Sequence, residues 1–321
     1  MGPRSNSSGP LEVSFIVPTF RRPEFLRLCL AAIATQTASV GEVLVGIRAD
    51  DHSNEAVLGE ASQFLPVRTV VAKGRGVVGS MSSCLAEATG HYIALVDDDV
   101  ELPANWLETM LSHMAANTDV LGAAGRDLLK GNEEARAKER ITADVGRFHW
   151  YGKVSGNHHL GAGLPRKVDI LRGSNCLFRG EFLRAVGFEQ RLRGQGAQVH
   201  WELALALHAR RRDGRLFYDP LTEVIHHVAP RHDADQLHRG TFNAGALSDM
   251  FYNEAFILHS YAPWRMQVAA LAWAFVVGGG FTPGLLKCFH LLWRREPHLA
   301  SRIAAFSSGW LAGLRDARRF P

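Results

Sequence analysis

The chain has 321 residues, 46% of them hydrophobic and 21% charged, with a formal net charge of +4. This is enough to build one large domain or two modest ones around a sizeable core, and the small charge excludes the strongly basic class of nucleic-acid binders. Cys29, Cys84, Cys176 and Cys288 form no C-x-x-C pair, so they read as free thiols of a reducing, cytoplasmic compartment rather than a disulfide framework or a zinc site.

The first ten residues, MGPRSNSSGP, have no apolar run, which predicts a flexible leader over 1–10 and no secretory signal. VSFIV (13–17) predicts a strand. PEFLRLCLAAIAT predicts a helix opened by Pro23, with Phe25, Leu26, Cys29, Leu30 and Ile33 on one face. EVLVGI (42–47) and VRTVVA (67–72) are the next two strands. A helix is expected over 78–88, then HYIALV as a fourth strand, a helix in ANWLETMLSHMA, and VLGAAG (120–125) as a fifth strand. Strands alternating with helices predict a mostly parallel sheet covered on both faces, with ligands gathered beyond the C-terminal strand ends.

Residues 127–167 are more polar and read as a long excursion from the sheet. Regularity returns with VDIL, the strand GSNCLF, helices in EFLRAVG and VHWELALALHARRR, and strands RLFYDP and TEVIHH. An α/β domain is thus expected over 11–247, followed by a helical region over 248–321. There, the apolar run 268–281 is shorter than the roughly 20 residues a spanning helix needs. It predicts a buried helix, with a helix lying on a membrane surface as the second reading. GLLKCFHLLWRRE is amphipathic and ends in basic residues.

Two stretches carry chemistry. KGRGVVG (73–79) places G-x-G-x-x-G at Gly74, Gly76 and Gly79, between a strand and a helix. Alone it fits a dinucleotide fingerprint, and so a Rossmann-type NAD(P)-dependent oxidoreductase. Against that, the loop follows the third predicted strand rather than the first, and three acids stand further on where one would serve a ribose. The second stretch, YIALVDDDVELP, ends a buried strand in Asp97, Asp98 and Asp99. Like charges so placed repel, and desolvating them is costly without a compensating cation. On an extended chain residues i and i+2 share a side, so Asp97 and Asp99 can face one hard divalent cation while Asp98 turns away. Such a cation would neutralise a departing diphosphate.

In order and spacing, VSFIVPTFRRPEFLRLCLAAIATQT, RADDHSNEA and AKGRGVVGSMSSCLAEATGHYIALVDDDVELPANWLE resemble the family 2 glycosyltransferases, over roughly residues 13–227. The resemblance implies a GT-A fold, Rossmann-like, with a helical C-terminal extension. It implies inverting, metal-dependent transfer from a nucleotide-diphosphate sugar to a hydroxyl of a glycan or lipid-linked acceptor, as in polysaccharide biosynthesis of the cell envelope. Position by position, it places Pro18, Thr19 and Arg22 against the nucleotide, Asp50 or Asp51 on the base, and Lys73 and Gly74 near the nucleoside. It puts Asp97 and Asp98 in the donor site, and Asp97 and Asp99 on Mn2+ or Mg2+.

The chain departs from the family pattern at several points. His52 replaces a usual Gly, Lys73 replaces an Asn, and SMSS stands where ARN is common, so Arg75 is a candidate substitute for the missing Arg. Ala197 and Gln198 stand where a Glu-Asp pair is expected, which leaves Glu202, on the first turns of its helix, as the candidate catalytic base. His227, rather than His226, matches the histidine that completes the metal site, and imidazole suits Mn2+ better than Mg2+. FHWYGK and GNHHLGAG suggest a flap in which Trp150 and Tyr151 stack on a sugar and His158 or His159 bonds its hydroxyls. A lipid-linked acceptor would place the enzyme peripherally on the inner face of the membrane. The loss of the Glu-Asp pair keeps open a non-catalytic nucleotide-sugar-binding protein of the same fold.

Overall fold

A nine-stranded sheet organises the computed structural model, which describes residues 12–131, 140–233 and 241–319. The predicted leader and most of GNEEARAKER lie outside the described residues. The strands are β1 Val13–Pro18, β2 Glu42–Ile47, β3 Val67–Val71, β4 Tyr92–Val96, β5 Val100–Glu101, β6 Val120–Leu129, β7 Arg147–Phe148, β8 Val154–Ser155, β9 Arg166–Val168, β10 Asn175–Arg179 and β11 Arg215–His226. Their order is β3-β2-β1-β4-β10-β6-β11-β5, with β9 also on β11, while β7 and β8 form a separate ribbon.

β1, β2, β3 and β4 pair in parallel, as the alternation with helices predicts. Beyond them the sheet is mixed. The chain returns from its long excursion to enter β10 antiparallel between β4 and β6, and β11 then runs parallel to β6. RLFYDP and TEVIHH, two predicted strands, are one strand, β11, whose register slips between Asp219 and Glu223. Pro220, which has no N–H to give a ladder, sits at the slip.

Ten helices are described: α1 Pro23–Ala34, α2 Glu55–Ala61, α3 Gly76–Glu87, α4 Trp106–Ala116, α5 Gly180–Val186, α6 Trp201–Arg211, α7 Ala244–Tyr261, α8 Trp264–Val276, α9 Leu285–Trp293 and α10 Leu299–Arg319. Strand alternation sends Phe15, Val17, Val43 and Val45 into a core shared with α1, α2 and α4. It sends Ile16, Leu44, Ile93 and Leu95 into a second core with α3, α5, α6 and the C-terminal helices. Leu26, Cys29, Leu30 and Ile33 are buried on the predicted face of α1. α10 lies within the helical region expected over 248–321 and packs along α7 through Phe306, Trp310, Gly309 and Gly313. α8 is buried on one side only, through Met266, Ala270 and Ala274. No helix among the described residues is long and apolar enough to cross a membrane.

Candidate active site

Beyond the C-terminal ends of β1 and β4 opens a cleft of about 560 Å³. Its floor is the aspartate triplet, and the three side chains part as strand geometry predicts. Asp98 turns under β1: Thr19 Oγ1 donates to its Oδ2 at 2.7 Å and Arg22 Nη1 to its Oδ1 at 2.8 Å. Arg22 is itself anchored, its Nε donating to Pro230 O at 2.9 Å. Asp97 and Asp99 instead converge with His226 at the end of β11, and each offers a ligand atom within 4.8 Å of the others.

Asp99 is oriented on both oxygens. Oδ2 accepts the Ala229 N–H at 2.8 Å, and Oδ1 lies 3.3 Å from His226 Nε2. Burial alone would raise its pKa, but the bond and charge of His226 hold it below the usual carboxylate range. Burial, reinforced by the charge of Asp99, pushes Asp97 well up. Burial opposes the charged form of His226 as well, but Asp99 outweighs it and pulls the imidazole up. A half-buried acid, Asp97, a buried one, Asp99, and a buried imidazole whose Nδ1 has no hydrogen-bond partner among the described residues are a donor set suited to a divalent cation.

His227, the expected ligand, is not in this group. Neighbouring residues at a strand end point to opposite sides, so when His226 faces the cleft His227 turns to Glu101, which its Nε2 contacts. The His227 backbone N–H bonds Asp99 O at 2.8 Å, fixing that orientation.

Glu202, on the first turn of α6, also lines the cleft. Burial raises its pKa, partly offset by hydrogen bonds from backbone N–H groups, including that of Gly173, and by the charge of Arg172. Two further residues escaped sequence reasoning. Asp127 on β6 is fully buried and ties the cleft wall together, accepting from Ser174 Oγ at 2.7 Å and Asn175 Nδ2 at 2.7 Å. Its Oδ2 also lies 3.0 Å from Nε of Arg172, whose side chain reaches the cleft. Neither has a local motif; only the pairing of β6 with β10 brings them to the site.

Pro18, Thr19, Arg22, Asp97, Asp98, Asp99 and Glu202 all line the cleft. The other expected residues do not. Asp51 is buried in its own turn, accepting from Arg21 N, Ser53 N, Ser53 Oγ and Asn54 Nδ2. Asp50 is exposed and pairs at 3.1 Å with Arg48, which does reach the cleft. Lys73, Gly74 and Arg75 are exposed and outside the lining.

The glycine loop is a packing device rather than a phosphate cradle. The first N–H groups of α3 are taken: Val77 N donates to Gly196 O at 2.9 Å and Val78 N to Gln198 Oε1 at 2.9 Å. Gly76 has φ of 59°, and a Cβ there would lie 2.4 Å from Gln198 Oε1. No donor remains on those groups for a dinucleotide pyrophosphate, which removes the structural basis of the oxidoreductase reading. The expected flap residues do not line the cleft. His158 is buried with its Nε2 on Ile170 O and the Tyr151 ring centroid lies 4.2 Å from that of Trp273 of α8, whereas Trp150 is 74% exposed to solvent.

Residues 14–172 match the family described as "Glycosyl transferase family 2". The "Uncharacterized glycosyltransferase YibD" of Escherichia coli (strain K12) is 26% identical over 182 residues, covering 56% of this chain and half (50%) the length of that relative. The mannosyltransferase PcManGT from Pyrobaculum calidifontis, solved with GDP-Man and Mn2+, aligns with a TM-score of 0.53 at 18% identity, over 97% of this chain and 87% of that one. S. aureus TarS in complex with UDP-GlcNAc aligns with a TM-score of 0.58 at 12% identity, over 96% and 92%. At these identities the two structures establish a shared fold.

Proposed function

The chain belongs to glycosyl transferase family 2 and has the GT-A fold, and from that premise we propose that it moves a sugar from a nucleotide-diphosphate donor to an acceptor hydroxyl with inversion. One observation carries the reading: Asp97, Asp99 and His226 converge on the floor of the cleft that Glu202 also lines. The complexes of PcManGT with GDP-Man and Mn2+ and of TarS with UDP-GlcNAc support the choice of donor class.

In this reading Asp97, Asp99 and His226 hold Mn2+, which the imidazole favours over Mg2+. When bound, the ion supplies positive charge for the leaving diphosphate. Thr19 and Arg22 lock Asp98, so that it braces the triplet and leaves the other two carboxylates free to turn inward. Arg48 and Arg172 add positive charge to the cleft walls. Glu202 accepts the proton of the acceptor hydroxyl as that oxygen bonds the anomeric carbon and the bond to the diphosphate breaks. Its raised pKa makes it a better base than an ordinary surface carboxylate. A single in-line displacement of this kind inverts the anomeric centre. The acceptor is a glycan or lipid-linked hydroxyl, a choice suggested by the resemblance to family members.

Nucleotide release from a panel of UDP- and GDP-sugars tests the reading. The wild-type chain should turn over one of them with Mn2+ and lose the activity in EDTA. Tight donor binding with no metal-dependent turnover on any donor would instead favour a non-catalytic nucleotide-sugar binder.

A further inference from the structure

α9 is an amphipathic helix mounted inside out. Of its large apolar residues only Leu291 is buried, while Leu285, Leu286, Phe289, Leu292 and Trp293 are 57% to 81% exposed. Spacings of three and four residues put Leu285, Phe289 and Leu292 on one stripe, with Trp293 beside them. The turn before α9 joins it to the end of α8, where Lys287 N donates to Val277 O at 3.3 Å and Val276 is 52% exposed. At the start of α8, Trp264 is 68% exposed and lies 5.6 Å from the guanidinium of Arg265. A contiguous run of exposed rings and Leu side chains on one short helix is not what a free surface carries; such a face is normally covered.

The charge pattern says by what. From Trp264 to Arg295 the sequence holds Arg265, Lys287, Arg294 and Arg295 and no Asp or Glu. Arg294 and Arg295 directly follow Trp293 at the end of α9, and both are exposed. Apolar side chains with tryptophans and arginines at their margins match a bilayer interface, where rings and Leu enter the acyl boundary and arginines meet lipid phosphates. None of the described helices can span, so the contact is one of lying on the surface.

We propose that α9, with the adjoining end of α8, docks the protein on an anionic membrane surface. The inference does not depend on the glycosyltransferase reading, and its test uses neither donor nor metal. The full chain is floated with vesicles of phosphatidylcholine alone or with phosphatidylglycerol added. The wild type should float with the anionic vesicles at least tenfold more than with the neutral ones, with a blue-shifted tryptophan emission. Phe289→Ser with Trp293→Ser should remove that binding. Arg294→Glu with Arg295→Glu should bring anionic binding down to the neutral level. These side chains are exposed, so melting temperatures should match the wild type and confirm that each variant folds. Absence of flotation with either vesicle, or undiminished flotation of the Phe289 and Trp293 variant, overturns the proposal. So does a wild-type dimer in light scattering that the same substitutions dissociate, since a second copy would then cover the face.

Discussion

Replacing Glu202 with Gln keeps the volume of the side chain and removes its capacity to take a proton. The proposed chemistry then predicts that turnover falls by roughly 10²- to 10⁴-fold while donor affinity is unchanged. Equal turnover of the variant and the wild type would remove Glu202 from the mechanism. Because burial raises the Glu202 pKa, the acid limb of the wild-type rate profile should lie above the range of an exposed carboxylate. Glu42 titrates in the opposite sense and serves structure. Burial would raise its pKa, but bonds from Ser14, Thr89 and Arg68 lower it to about 2. A carboxylate lowered on folding stabilises above its unfolded pKa and loses that contribution as pH falls toward the folded value. The stability advantage of wild type over Glu42→Gln in urea should therefore be constant above about pH 5 and shrink toward pH 2. A gap that stays constant down to about pH 3 would contradict the assignment. At this scale the triplet was legible because three adjacent acids have few innocent uses. The choice between His226 and His227 was not, because it turns on which residue of a pair faces the sheet's open end, and that is fixed by pairing with Val100 and by the Asp99 carbonyl.

The link between α3 and the loop before α6 is what places the wall of the cleft. Gln198 is buried in that loop with φ of 43°, a left-handed conformation that its bonds to Val78 N and Leu192 O hold in place. Gln198→Leu leaves both backbone groups without a partner, an expected loss of about 1 to 3 kcal/mol in urea unfolding. Glu202 lies four residues on, in the first turn of α6, so turnover should fall as well. A variant as stable and as active as the wild type would show that the link is dispensable. The sequence displayed the glycines of this loop but not their use, since Gly76 answers to a glutamine 122 positions away. The packing of α10, inside the region expected to be helical, has a related cause. Its Gly309 and Gly313 weaken helix propensity, yet they let it approach α7 so closely that a Cβ on either would lie 2.3 Å and 2.6 Å from the Ser248 and Tyr252 carbonyl oxygens.

Across the whole molecule, two cores on opposite faces of one sheet hold the strand ends rigid, and the cleft forms where β10 inserts between β4 and β6. The parallel half was readable from the alternation of strands and helices. The insertion was not, because a five-residue strand carries no sign of its direction, and Asp127 braces Arg172 at the cleft only through it. In the proposed function Asp97, Asp99 and His226 form one cation site that couples donor binding to the metal. A ligand bound by the native state alone raises its melting temperature, so thermal unfolding across a panel of UDP- and GDP-sugars reads that coupling directly. One donor should raise the melting temperature with Mn2+ present and scarcely without it. Asp99→Asn and His226→Ala should abolish the rise, and His227→Ala should retain it. A donor-dependent rise that is indifferent to Mn2+, or that survives in Asp99→Asn, would contradict that coupling.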